Sequence, residues 1–197
     1  MKFKIGEGIV IHHSFFTARK NMNKTSITLP SIQGPAFYCG DFVNTDVMAP
    51  GRFEPYDGPE ELARCALIDY ESDPPFVDPN TGTSLFKVII AGREFGCGSS
   101  RETAPQGLHY AGCRAVIAKS FGSIFYRNCI NMGLVLPIVY PHNFDASTMG
   151  KEVIVNMQSG YFSVEGCNYE IPDFGPVTKI VAAGGLTNHT KQRMEIA

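Results

Sequence analysis

Apolar residues along this chain come in short runs separated by turns rich in glycine, proline and aspartate. Phe86–Ala91, Arg114–Ala118 and Leu134–Tyr140 are blocks of strand length and mostly apolar, the pattern of strands covered on both faces. Two helical segments lie between them. The first is expected over Arg101–Ala111, with Pro105 tolerated in its first turn. The second is expected to be capped by Ser120, to carry Ile124, Phe125, Asn128 and Cys129, and to end at Gly133. Strand, helix, strand, helix, strand with short turns predicts parallel pairing and right-handed crossovers.

The rest of the chain adds weaker elements. Ala36–Cys39 reads as a strand and Gly40–Gly51 as a loop. Asp57-Gly58-Pro59-Glu60 predicts a helix start with Asp57 as cap, and Leu62, Cys65 and Ala66 give that helix its stripe. Residues 71–84 read as loop. Glu152–Met157 and Tyr161–Glu165 read as a hairpin around Ser159-Gly160, and 176–183 and 188–195 as helices. Residues 1–34 lack a clean period and are punctuated by Leu29-Pro30 and Gly34-Pro35. They read as an extension with one strand at Gly8–His12. The expected fold is α/β over residues 35–197, a mixed, mainly parallel sheet with flanking helices and some attached antiparallel strands.

Composition narrows the function. A chain of 197 residues with 44% hydrophobic and 18% charged residues is globular in composition. A net charge of -2 argues against a nucleic-acid partner. No run approaches the roughly 18–20 apolar residues of a membrane helix. Lys2 and Lys4 are followed by no long apolar stretch, which speaks against a secretory signal. His12–Lys24 is basic and lacks acidic residues, as in a weak organellar presequence, but Glu7 argues against one, so the cytoplasm is the expected compartment. Cys39, Cys65, Cys97, Cys113, Cys129 and Cys167 form no C-x-x-C pair. They read as free thiols in a reducing compartment, and no metal site is expected in this chain. The His12-His13 pair reads as exposed surface.

The chemistry concentrates in Gly92–Glu102, which follows a strand and opens a helix. Loops there bind ligands in α/β sheets. Glycines let backbone N–H groups approach an anion, Arg101 offers a fork that fits a carboxylate, and Ser99 and Ser100 supply hydroxyls. The segment breaks the dinucleotide fingerprint, lacks the Gly-Lys-Ser/Thr of a P-loop, and has no G-x-S-x-G elbow. Cys97 as nucleophile would need a histidine, for which His109 is a weak candidate. A plain glycine-rich connection with a capping serine fits the residues equally well.

A resemblance separates these readings. Phe95-Gly96-Cys97-Gly98-Ser99-Ser100-Arg101-Glu102, then Ala104-Pro105, Ala115–Phe121, Ile124–Asn128 and Gly133-Leu134, closely resemble the small subunits of isopropylmalate isomerases, within the aconitase swivel-domain family. Gly40–Gly51 is similar to the family's Asp-x-Ile-x-Thr-Asp-x-Ile-x-Pro loop. The resemblance spans residues 36 to about 190. It implies a swivelling β/β/α domain and an isomerisation of a 2-substituted malate by dehydration and rehydration. 3-Isopropylmalate dehydration in leucine synthesis is the first reading. A homoaconitase or aryl-malate isomerase subunit is the alternative, and a non-catalytic anion-binding or regulatory module is the alternative of another class.

The resemblance implies a large-subunit partner carrying a 4Fe–4S cluster whose open iron polarises the leaving hydroxyl, and a small di- or tricarboxylic acid substrate. It further implies Ser99 as the base, Ser100, Arg101 and Gly98 as substrate-binding residues with Arg101 on a carboxylate, and Asp46 pairing with a partner histidine. The chain departs from the pattern at Thr103, where the family has His, and at Gln106, where Trp is common. Phe53-Glu54-Pro55-Tyr56 matches a loop tied to substrate choice that usually reads Tyr-Leu-Arg or Tyr-Leu-Val. Glu54 there suits neither an isopropyl group nor an extra carboxylate.

Overall fold

The computed structural model describes residues 31–195; the expected strand at Gly8–His12, the His12-His13 pair and the basic His12–Lys24 stretch lie outside them. The strands are β1 (Ser31–Tyr38), β2 (Val88–Ala91), β3 (Ala115–Ala118), β4 (Leu136–Val139), β5 (Glu152–Asn156), β6 (Tyr161–Val164) and β7 (Cys167–Glu170). The helices are α1 (Thr45–Met48), α2 (Pro59–Arg64), α3 (Thr103–Ala111), α4 (Ser123–Met132), α5 (Thr178–Ala182) and α6 (Leu186–Glu195).

The seven strands of the described residues form one sheet, in the order β4-β3-β2-β1-β5-β6-β7. The β1, β2, β3 and β4 neighbours pair parallel, and β1–β5, β5–β6 and β6–β7 pair antiparallel. Every residue of β2 and β3 is buried, as their continuous apolar runs require. Alternate positions feed two cores. Phe37, Ile89 and Val116 pack with Leu108 of α3 and Phe125 of α4. Val88, Ile90, Ile117 and Ile138 pack on the other face with Val153, Val155 and Phe162. Tyr140, just past β4, meets Phe162 of β6 edge-on at 5.0 Å and Tyr169 of β7 at 5.6 Å. Those strands lie at opposite ends of the sheet order, so the sheet curls and its antiparallel half covers the second face of the parallel half.

Several local expectations differ from the structure. β1 begins at Ser31, so residues 31–34, grouped with the extension on sequence grounds, pair with β5. Gly34-Pro35 lies inside β1. It sits where β1 leaves β5 for β2, and Pro35 serves the ladder through its carbonyl, which accepts from Lys87 N–H at 3.0 Å. The loop expected over Gly40–Gly51 contains α1, capped by the Asn44 side chain on Val47 N–H at 2.9 Å. Gly58, not Asp57, is the N-cap of α2, and Glu61 instead accepts from Asp57 N–H. Helix α3 starts at Thr103, two residues after Arg101. Helix α4 starts at Ser123 with Gly122 as N-cap, because Ser120 is engaged elsewhere. Its C-terminus is as expected, with Gly133 left-handed at φ 66. Strand β7 had no signal, since only its partner β6 makes it a strand.

Gly96 links the core to the loop above it. Its φ is +78, and an added Cβ would lie 2.2 Å from Cγ of Phe125, a ring 1% exposed. Gly96→Ala should therefore lose about 2–5 kcal/mol, from left-handed strain plus overpacking. Chemical denaturation measures this, and a loss under 1 kcal/mol would show the ring has room to move.

Candidate functional site

The parallel strands end at one edge of the sheet, and three loops leave it there: 39–51 after β1, 92–102 after β2 and 119–122 after β3. The first two stay hydrogen-bonded beyond the sheet. Cys39 N–H donates to Ile90 O, Gly92 N–H to Gly40 O, Phe42 N–H to Arg93 O, Gly96 N–H to Val43 O and Thr45 N–H to Cys97 O, all at 2.7–3.1 Å. Asp41 braces the start of this zipper. Its carboxylate accepts from Arg93 N–H at 2.8 Å and from the Arg93 guanidinium at 2.9 and 3.0 Å. Those bonds hold Asp41 below the usual carboxylate range. Gly92 has no alternative here, because a Cβ would lie 1.9 Å from Asp41 Oδ1. On the other side, Ser120 Oγ accepts from Glu94 N–H and donates to Glu94 Oε1, and Phe95 bridges to Phe121.

The zipper carries the sequence-predicted residues to one place. Gly98 is left-handed at φ +97 and packs on Asn44 and Thr45. Ser99 and Ser100 are exposed. The Ser99 carbonyl is fixed from two sides, by Thr45 Oγ1 at 2.9 Å and by Arg101 N–H at 3.0 Å. Among the described residues, the N–H groups of Gly98, Ser99 and Ser100 meet no acceptor. They are donors available to an anion. Asp46, in the only turn of α1, accepts from Arg101 Nε at 2.9 Å.

Glu54 accepts from Arg101 Nη1 at 2.8 Å. Gly51 lies against the same guanidinium, where a Cβ would stand 3.1 Å from Nη2. Phe53 closes a turn of 3-10 helix, stacks under Arg52 at 4.5 Å, and is held by the pairing of Arg52 with Asp69. Tyr56 donates to Pro50 O at 3.0 Å.

Glu54, Pro55, Tyr56, Leu62, Thr103 and Gln106 share a recess of about 630 Å³ beside Arg101. All three positions that depart from the family pattern, 54, 103 and 106, thus line one space. Thr103 Oγ1 is buried and has no partner among the described residues. Thr45 and Gly51 were not singled out in the sequence; their signal was their place beside Asp46 and Pro50 in the first motif. His109 is remote from this loop: its Nδ1 lies 2.9 Å from Leu134 O, and burial lowers its pKa. Cys97 therefore has no basis here as a histidine-activated nucleophile.

Among the described residues, no three His, Cys, Asp or Glu side chains are placed to hold a metal ion. The six cysteines are free thiols; Cys39, Cys113 and Cys129 share the core between the sheet and α3 and α4, and Cys65 is buried too. The donors of the described residues therefore do not suit an iron–sulfur cluster. No described helix is long and apolar enough to cross a membrane.

Comparison with known proteins places the fold in a family. Residues 71–143 match the family model described as the aconitase C-terminal domain. The 3-isopropylmalate dehydratase small subunit of Thermodesulfovibrio yellowstonii is 39% identical over 169 residues, covering 84% of this chain and 96% of that one. The methanogen homoaconitase small subunit of Methanothermobacter thermautotrophicus is 39% identical over 163 residues, covering 80% and 89%. The crystal structure of 3-isopropylmalate dehydratase from Methanocaldococcus jannaschii superposes with a TM-score of 0.71 at 38% identity, covering 85% of this chain and 97% of that chain.

Burial pushes the Cys113 thiol up to about 12 and raises Cys39 and Cys129 as well. Native protein treated with iodoacetamide near neutral pH should be alkylated first at Cys167 and Cys97, with the four buried thiols protected until unfolding; peptide mass spectrometry reads the order. The Asp41 brace should show in acid. A carboxyl with a depressed folded pKa stabilises fully above its unfolded value, here 3.8, and loses that contribution as pH falls through the lower folded value. Asp41→Asn should remove this part of the slope from a stability profile taken below pH 4.

Proposed function

Because the chain belongs to the aconitase swivel-domain family, among the small subunits of isopropylmalate isomerase and homoaconitase type, we propose that it completes a hydro-lyase that isomerises a 2-substituted malate, with 3-isopropylmalate in leucine synthesis as the first substrate. The catalytic partner is a large subunit that carries the 4Fe–4S cluster. The free thiols support a reducing, cytoplasmic setting.

The roles follow from what the loop offers. Arg101 binds a substrate carboxylate through its fork, and Gly98 and Ser100 contribute donors around that group. Ser99 Oγ takes the proton from the carbon next to a carboxylate and returns a proton during rehydration. A serine hydroxyl is a poor base unless its alkoxide is stabilised. The guanidinium two residues on and the unpaired N–H groups of residues 98–100 supply that stabilisation. Asp46 orients a partner histidine. Phe53, Glu54, Pro55 and Tyr56 form the loop that meets the variable side chain of the acid. One observation carries the reading: the Ser99 carbonyl is anchored to both Thr45 and Arg101 while its hydroxyl stays exposed.

A second reading, homoaconitase or an aryl-malate isomerase, differs only in that side chain, and the homoaconitase small subunit above keeps it open. Reconstitution with a cluster-bearing large subunit tests the proposal. Activity should appear with the complex and be absent from the chain alone. Ser99→Ala should lower kcat about 10²–10⁴-fold with the complex intact. Arg101→Lys should raise KM about tenfold or more, since an ammonium cannot replace the fork. Wild-type turnover by Ser99→Ala would sink the base assignment, and an assay across several 2-substituted malates ranks the substrates.

A further inference from the structure

The recognition site contains its own competitor. Arg101 carries one positive charge, and two carboxylates already hold it: Asp46 on Nε at 2.9 Å and Glu54 on Nη1 at 2.8 Å. The three charges sum to -1, so an approaching acid meets a surplus of negative charge where it needs a cation. The guanidinium is the enclosed member, with 24% of its side chain exposed, against 54% for Asp46 and 45% for Glu54. Gly51 backs it closely. Arg101 thus stays in place, and a carboxylate has to leave before another can bind.

We infer that Glu54 occupies the place of a substrate carboxylate on Arg101 and swings into the adjoining recess when acid binds. This rests on the proposal that Arg101 is the carboxylate clamp. Three observations favour Glu54 as the mobile group. It sits on Nη1, one of the two end-on nitrogens a bidentate carboxylate takes together. It lies on the exposed loop after the Gly51–Phe53 turn, whereas Asp46 is fixed in a capped turn. It already lines the recess of about 630 Å³, where Gln106 offers a donor to a displaced carboxylate. Glu54 is accordingly a positioning residue that sets how readily Arg101 accepts an acid.

The test has two arms. In the reconstituted complex, Glu54→Gln keeps the shape and removes the charge. It should lower KM for the acid by about two- to fivefold, the scale of a partly exposed ion pair. Gln106→Leu should raise KM when Glu54 is present and change nothing in the Glu54→Gln background. An unchanged or raised KM in Glu54→Gln overturns the inference, as does a Gln106→Leu effect of equal size in both backgrounds. The second arm needs no partner. With the full chain alone, NMR of the Arg101 Nε–H should report the same two- to fivefold tighter binding of malonate in Glu54→Gln, and equal binding overturns the inference. If no malate derivative is turned over by the complex, the enzymatic reading fails while the malonate arm still decides the role of Glu54.

Discussion

Everything at the sheet edge depends on a backbone zipper that outlasts the sheet. The chain leaving β1 and the chain leaving β2 run parallel past their last ladder bonds and keep exchanging hydrogen bonds as far as Thr45 and Cys97. A loop on its own would have to order many torsions to hold a serine in place. Here each loop is ordered by the other, and the Asp41–Arg93 fork locks the first step. The glycines are where this closeness is felt. At Gly92 a Cβ would meet the Asp41 carboxylate, and at Gly122 it would meet the Gly96 carbonyl at 2.4 Å. The motif's glycines thus serve backbone approach between loops as much as any ligand.

Electrostatics at the end of the zipper is unbalanced by design of the chain alone. Arg101 is doubly paired, yet the loop presents unsatisfied N–H groups and an exposed hydroxyl beside it. A finished site would not leave donors open on one side and surplus acid on the other. The chain belongs among small subunits, and under the proposed function this is the face that substrate and large subunit complete.

Much of this was legible beforehand. The β2–α3–β3–α4–β4 order follows from apolar runs too short and too dense to be anything but covered strands, and Gly133 marks the end of α4 where a left-handed residue is needed. Caps were legible only in part. Asn44 caps α1 unnoticed because four residues leave no periodicity, and Ser120 turned from its helix to Glu94 because the neighbouring loop offered a closer partner. The switch of β1 from β5 to β2 at Gly34-Pro35 looked like a boundary, since proline and glycine carry the same signal in a turn and in a strand that changes partners.

By itself the sequence determined which residues are apolar, where turns must fall, and that two motifs with hydroxyl, guanidinium and carboxylate groups exist on this chain. Such properties are local, set by side-chain chemistry and torsional preference within a few residues. Only the tertiary structure decided that Asp46 and Glu54 both close on Arg101 and that Glu54, Thr103 and Gln106 border one recess. Those meetings join positions 47–55 residues apart. They arise because parallel strands deliver successive loops to the same edge, a consequence of sheet pairing that no stretch of residues carries alone.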